Sequence, residues 1–187
     1  MKVKKTTFPG LLIVEPDVFG DQRGYFFESW QHERYKKAGI KATFIQDNES
    51  KSVRGVVRGL HYQLEPRAQA KLVRVVEGRV FDVAVDLREG SPTYGKWFGM
   101  ELDSESKNQL FIPRGFAHGF SVLSETAVFS YKIDNDYHRD AERVININDP
   151  EFGIDWKLGK EKQIISEKDL NAPFFKDAEK NFKFETL

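Results

Sequence analysis

The segment RGLHYQ, Arg58 to Gln63, places an arginine and a histidine three residues apart in an otherwise apolar, strand-like run. An imidazole titrates near neutrality, with a pKa of about 6.5, so His61 can act as a general base or as a metal ligand. It can equally be a histidine held by ordinary hydrogen bonds. Arg58, Lys71 and Arg74 fall on the same or adjacent predicted strands. Cations gathered in this way call for anionic partners, either acidic side chains or a phosphate-bearing ligand. Regular strand alternation would turn Arg58 and His61 to opposite faces. Gly59 between them is a natural bulge position, able to re-aim one of the two into a shared pocket.

His118 lies in PRGFAHGF, just past a turn made by Pro113 and Gly115, and so at the rim of a β scaffold, where sites are commonly built. Two separated histidines raise a metal reading. Imidazole ligands ordinarily come with a further donor at close spacing, whereas the residue two beyond His61 is Gln63, a poor ligand, and Glu65 precedes Pro66 in a turn. Tyr131 alternates with Phe129 in FSYKI. It reads as a core aromatic with a satisfied hydroxyl or as a proton donor, since a phenol of pKa about 10 can protonate a carbanion in a dry site. His32, in a helix candidate, and His138, in the polar DNDYHRD, read as solvated surface residues. Spacing alone gives Asp169, Glu28, Gln46, Asn48 and Glu142 no link to His61.

These residues need a scaffold, and the sequence describes a β-rich one. LLIVEPDVF, the turn GDQRG and YFFESW read as short strands, followed by a helix at QHERYKKAG that Gly39 would end. KLVRVV and RVFDVAVDL alternate on either side of Glu77-Gly78, which predicts a hairpin. SPTYGKW reads as a turn, FGMEL as a strand and DSESKNQ as a polar loop. LFIP, GFAHGFSVL and TAVFSYKI are further strands, and Ser166 is placed to cap one short helix. Turns at intervals of about ten residues suggest a closed or sandwiched antiparallel fold.

The totals bound the function classes. The 187 residues carry 29 basic and 29 acidic side chains with no long single-sign run, which argues against a general electrostatic grip on nucleic acid or membrane. With no cysteine, disulfides, thiolate catalysis and cysteine-ligated metal centres are excluded. The opening MKVKKTTFPG has no apolar run of signal-peptide length, so a soluble cytoplasmic protein is expected.

Over most of its length the chain resembles the dTDP-4-dehydrorhamnose 3,5-epimerase family. The motifs that carry the resemblance include FGDQRGYFFESW, QDNESKSVRGVVRGLHYQ, QAKLVRVVEGRVFDVAVDLREGSPTYGKW, FIPRGFAHGF, SYKIDNDYHRDAE, INDPEFGIDW and SEKDLNAPFF. The resemblance implies a mostly β fold, a cupin-type antiparallel jelly-roll barrel in one domain, and a homodimer. Residues 1–50 would form N-terminal strands and a short helix, 51–145 the jelly-roll core, and 146–187 a helical and looped extension. PRGFAH resembles the second metal-binding half-motif of cupins, but Gln63 departs from the first, in keeping with the family's metal-free, cofactor-free chemistry. The implied reaction inverts carbons 3 and 5 of a dTDP-4-dehydro-6-deoxy-sugar through an enolate. Inversion of a single carbon is the alternative within the family, and a metal-dependent cupin a more distant one.

By the same resemblance His61 is the base, Asp169 its orienting carboxylate, Tyr131 the proton donor on the opposite face and Lys71 the stabiliser of the enolate. Arg23, Arg58 and Lys168 match positions that bind the nucleotide-sugar, and Glu28, Gln46, Asp47, Asn48, His118 and Glu142 match other substrate contacts. Tyr137 or Phe19 is available to stack on the thymine. The N-terminal segment would serve the partner's site.

Overall fold

Antiparallel strands dominate residues 1–185, the part of the chain described by the structure, a computed structural model. In chain order they are β1 (Lys2–Lys5), β2 (Leu12–Glu15), β3 (Val18–Asp21), β4 (Gly24–Phe27), β5 (Gln46–Val53), β6 (Val56–Gln63), β7 (Lys71–Glu77), β8 (Arg79–Asp86), β9 (Trp97–Asp103), β10 (Gln109–Ile112), β11 (Phe116–Val122), β12 (Thr126–Ile133), β13 (Glu142–Val144) and β14 (Ile164–Ile165). Helix α1 (His32–Lys37) begins where the Gln31 side chain accepts a hydrogen bond from the Arg34 amide, and it stops short of Gly39 as predicted. In α2 (Glu167–Leu170) the Ser166 hydroxyl caps the Asp169 amide.

One sheet runs β1–β2–β10–β7–β12–β5 and the other β13–β6–β11–β8–β9, with β14 joining β6 in parallel; β3 and β4 form a separate ribbon. The facing sheets make a jelly roll. They share no strand, so the expected barrel is an open two-sheet sandwich.

Alternation explains how the sheets close. Val73 and Val75 on β7, Phe129 on β12, Val80 and Ala84 on β8, and Phe120 and Val122 on β11 pack in one cluster between them. Burying an aliphatic side chain of this size contributes about 1.5–3 kcal/mol. The alternate residues Phe81, Val83 and Val85 turn to the outer face of β8, where Phe152, Trp156, Phe175 and Phe182 of the C-terminal segment cover them. Both faces of β8 are therefore buried, which is why its sequence is almost continuously apolar.

The predicted hairpin at Glu77-Gly78 does not form. β7 gives both its edges to β10 and β12, and β8 gives its edges to β11 and β9, so the two strands lie in opposite sheets. Gly78 carries the chain across the sandwich at φ +80°, and a Cβ there would stand 2.1 Å from the Thr126 carbonyl oxygen.

The bulge at Gly59 is present. His118 pairs with His61 and Phe120 with Arg58, so Gly59 and Leu60 on β6 face Gly119 alone on β11. Gly59 has φ +145°, and an added Cβ would lie 2.7 Å from the Gly119 Cα, so backbone meets backbone with no room for a side chain. The bulge does not bring both side chains to line one cavity, as it was expected to allow. Arg58 donates from Nε to the Ser52 hydroxyl on the opposite sheet (3.2 Å), while His61 lines the cavity between the sheets.

Candidate active site

The cavity opens between β5, β7 and β12 on one side and β6 and β13 on the other, and holds about 310 Å³. Register sets its walls. Tyr131 pairs with Asn48 and Val73, and Ile133 with Gln46 and Lys71, so Gln46, Asn48, Lys71 and Tyr131 project from one sheet toward His61 and Glu142 on the other.

His61 Nε2 lies 2.8 Å from Asp169 Oδ1, joining β6 to α2 across 108 residues of sequence. Asp169 is 3% exposed, and its other oxygen accepts the Gly59 amide at 3.4 Å. Burial works against its charge, but the hydrogen bond from His61, the imidazole's field and the Gly59 and Ser166 contacts together hold it below the usual carboxylate range. An anionic acceptor keeps a proton on Nε2 of the imidazole and leaves Nδ1 with a free lone pair. That is the state a general base requires.

Burial pushes the Tyr131 phenol up, Arg58 opposes this, and Glu142 adds to it. The hydroxyl therefore keeps its proton at neutral pH and can deliver it. Lys71 sits with its ammonium 5.8 Å from the Tyr131 ring centre. Desolvation lowers it to about 8, against the attraction of Asp82 and Glu142. The lysine is charged below about pH 8, so any help it gives to a developing oxyanion is lost as pH rises through that value. We expect kcat/KM to fall on the alkaline side near this pH. In Lys71→Arg, whose guanidinium stays charged, that limb should move at least about one unit upward. A limb that stays in place would assign it to another group.

At the rim, Glu142 Oε2 accepts from Lys168 Nζ (2.6 Å) and from the Tyr137 hydroxyl (3.2 Å), and Tyr137 lines the cavity. The structure does not bring every expected residue here. Asp47 alternates with Gln46 and Asn48, and its carboxylate meets Lys132 at 2.8 Å away from the cavity lining. Arg74, three residues from Lys71, faces a separate small pocket with Ser29, Gln109 and Ser130 instead of joining the cations near His61. Arg23 pairs with Asp21 at the tip of the β3–β4 ribbon, Phe19 is 65% exposed on that ribbon, and Glu28 pairs with Arg34. None of these three lines the cavity of its own chain.

His118 lies behind the cavity wall and reveals a residue that pattern reading missed. Its Nε2 is 2.8 Å from Asp82 Oδ2, and Asp82 is fully buried with Oδ1 lacking a partner among the described residues. Burial raises the Asp82 carboxyl and lowers His118. The signal was a lone acid inside the apolar run VFDVAV. His61 and His118 are neighbours in register, yet each directs Nε2 to a different carboxylate. Among the described residues no three His, Cys, Asp or Glu side chains are gathered as a metal would require.

Fold and cavity together define a cupin-type jelly roll whose cavity gathers a carboxylate-paired imidazole, a phenol and an ammonium. Residues 5–177 match the family model for dTDP-4-dehydrorhamnose 3,5-epimerase. The chain is 54% identical to the dTDP-4-dehydrorhamnose 3,5-epimerase of Shigella flexneri over 180 residues, covering 96% of this chain and 98% of that one. It superposes on the crystal structure of the Elizabethkingia anophelis NUHP1 enzyme with a TM-score of 0.91 at 56% identity, covering 95% of this chain and 97% of that chain. It also superposes on a dTDP-6-deoxy-D-glucose-3,5-epimerase from Legionella pneumophila Philadelphia 1 in complex with dTDP-4-keto-L-rhamnose. There the TM-score is 0.90 at 48% identity, over 94% of this chain and 93% of that one. The chain belongs to the dTDP-4-dehydrorhamnose 3,5-epimerase family.

Proposed function

We propose that this protein inverts carbons 3 and 5 of dTDP-4-dehydro-6-deoxy-D-glucose to give dTDP-4-dehydro-L-rhamnose. The observation that carries the proposal is one cavity shared by a carboxylate-paired imidazole, a half-buried phenol and an ammonium. The carbonyl at carbon 4 acidifies the hydrogens on carbons 3 and 5. His61 takes one of these protons, and the electron pair of the broken C–H bond moves onto the carbonyl oxygen as an enolate. Lys71 balances that charge, an electrostatic contribution of several kcal/mol in comparable sites. Tyr131 then protonates the carbon from the other face. Before the second inversion His61 must lose its proton and Tyr131 regain one.

Arg58 and Lys168 supply cations for the diphosphate, and Tyr137 offers its ring to the thymine. Phe19, Arg23 and Glu28 lie on or beside a ribbon remote from their own cavity, which supports a homodimer in which each ribbon closes the partner's site. We extend the reading to a cytoplasmic location. Among the described residues no helix is long and apolar enough to cross a membrane.

Incubation of the ketosugar with the protein in heavy water is the decisive experiment. Deuterium is expected at both carbons, and coupling to a 4-keto reductase should yield the L-rhamnose nucleotide. Deuterium and inversion at one carbon alone would assign the protein to single-carbon epimerases. Binding of dTDP without exchange would make it a binding protein.

A further inference from the structure

Gln63 ends β6 two positions beyond His61, lines the same cavity and is 4% exposed. The acid–base chemistry makes no use of it. Its side-chain amide is fully engaged with the backbone: Nε2 donates to the carbonyls of Arg67 (2.6 Å) and Asp136 (3.1 Å), and Oε1 accepts from the His138 amide (2.6 Å). These partners fix which end of the amide is oxygen, since two carbonyls require the NH₂ and one N–H requires the oxygen. One planar group therefore grips the carbonyl before Tyr137 and the amide after it.

Surrounding contacts brace the same segment. Gln69 Nε2 donates to the Asn135 carbonyl (2.9 Å), and Asn135 Nδ2 donates to that of Pro66 (3.1 Å). Tyr137 itself is 55% exposed, and among the described residues its side chain makes one hydrogen bond, from the hydroxyl to Glu142. An exposed ring keeps one direction when its backbone is held, and a surface held ready before binding avoids the cost of ordering it on the ligand.

We infer that Gln63 is a positioning residue for nucleotide recognition, its carboxamide fixing the backbone on both sides of Tyr137 so that the ring stands as a ready wall for the base. The inference rests on Tyr137 being the base-stacking residue. A carboxamide is suited to the task because it donates and accepts in one plane. An ionised glutamate offers no donor to the two carbonyls, and methionine offers neither group. The role lies in binding, so its loss should appear in dTDP affinity and KM and spare turnover of the bound sugar.

The test is a double-mutant cycle, with dTDP affinity measured by calorimetry beside kcat and KM on the ketosugar. Tyr137→Ala should weaken dTDP about tenfold, as expected for loss of a stacked base. Gln63→Met should weaken it about three- to tenfold with kcat within about twofold of the parent, and in the Tyr137→Ala background should add less than about twofold. The full penalty persisting in that background, or a fall in kcat at unchanged dTDP affinity, would overturn the inference. Parental affinity in Tyr137→Ala would remove the stacking reading and the inference together, a pattern distinct from additive penalties. If circular dichroism shows that Gln63→Met does not fold, Gln63→Glu carries the same expectation, since it keeps an acceptor for the His138 amide.

Discussion

His61→Asn is expected to abolish deuterium exchange at both sugar carbons while leaving the protein folded and able to bind dTDP. The asparagine amide can still reach toward Asp169 but has no basic nitrogen, so the proton on carbon 3 or 5 has nowhere to go. General-base catalysis contributes about 10²–10⁴-fold, and the loss should fall at the upper end because no second imidazole lines the cavity among the described residues. His118 is the nearest imidazole in register, but its Nε2 is committed to Asp82 and it does not line the cavity. His61 is a partly exposed side chain, 34% by area, so its replacement should leave the fold intact. Asp169→Asn should act through the same atom. A neutral amide no longer holds the proton on Nε2, and inversion should slow by about 10²–10⁴-fold, as loss of an orienting carboxylate does in histidine–aspartate pairs. Full exchange in His61→Asn would refute the assignment of the base.

The second large effect belongs to Tyr131→Phe, and here exchange and inversion should separate. His61 remains, so a proton still leaves the sugar, and after the imidazolium trades with heavy water a deuteron can return to the same face. Deuterium should therefore enter without inversion. Delivery to the opposite face requires the phenol, and inversion should drop by about 10²–10⁴-fold. Removing one oxygen from a ring that packs beside Phe129 leaves the apolar contacts in place, so stability should change little. Unchanged inversion would take Tyr131 out of the mechanism. The two variants together distinguish a base on one face from an acid on the other, which neither does alone.

Local order in the chain was legible because its causes are local. Alternation in FSYKI sets Tyr131 and Phe129 to one side of β12, and Ser166 caps α2 through an amide three residues on. The bulge at Gly59 was legible as well, since a three-residue spacing with a glycine inside it asks for one. The hairpin expected at Glu77-Gly78 failed because alternation predicts a strand but not its partner. Which edge a strand pairs with is settled by the other strands competing for it, and β10 and β12 occupy both edges of β7.

The same distinction governs the site. From its own residues the sequence determined a β-rich chain without thiol chemistry, a bulge at Gly59 between an arginine and a histidine, and, through the resemblance of its longer motifs, the family. Asp169 was tied to His61 only through the family resemblance, and the fold brings the two into contact; tertiary structure alone decided that Asp82 lies behind His118, that Arg74 faces away from Lys71's cavity, and that Gln63 grips the backbone around Tyr137. Spacing reaches only a few residues along a strand or helix. A hydrogen bond spanning 108 residues exists because two sheets close on a shared core and the C-terminal segment packs across the outer face of the sheet that carries β6.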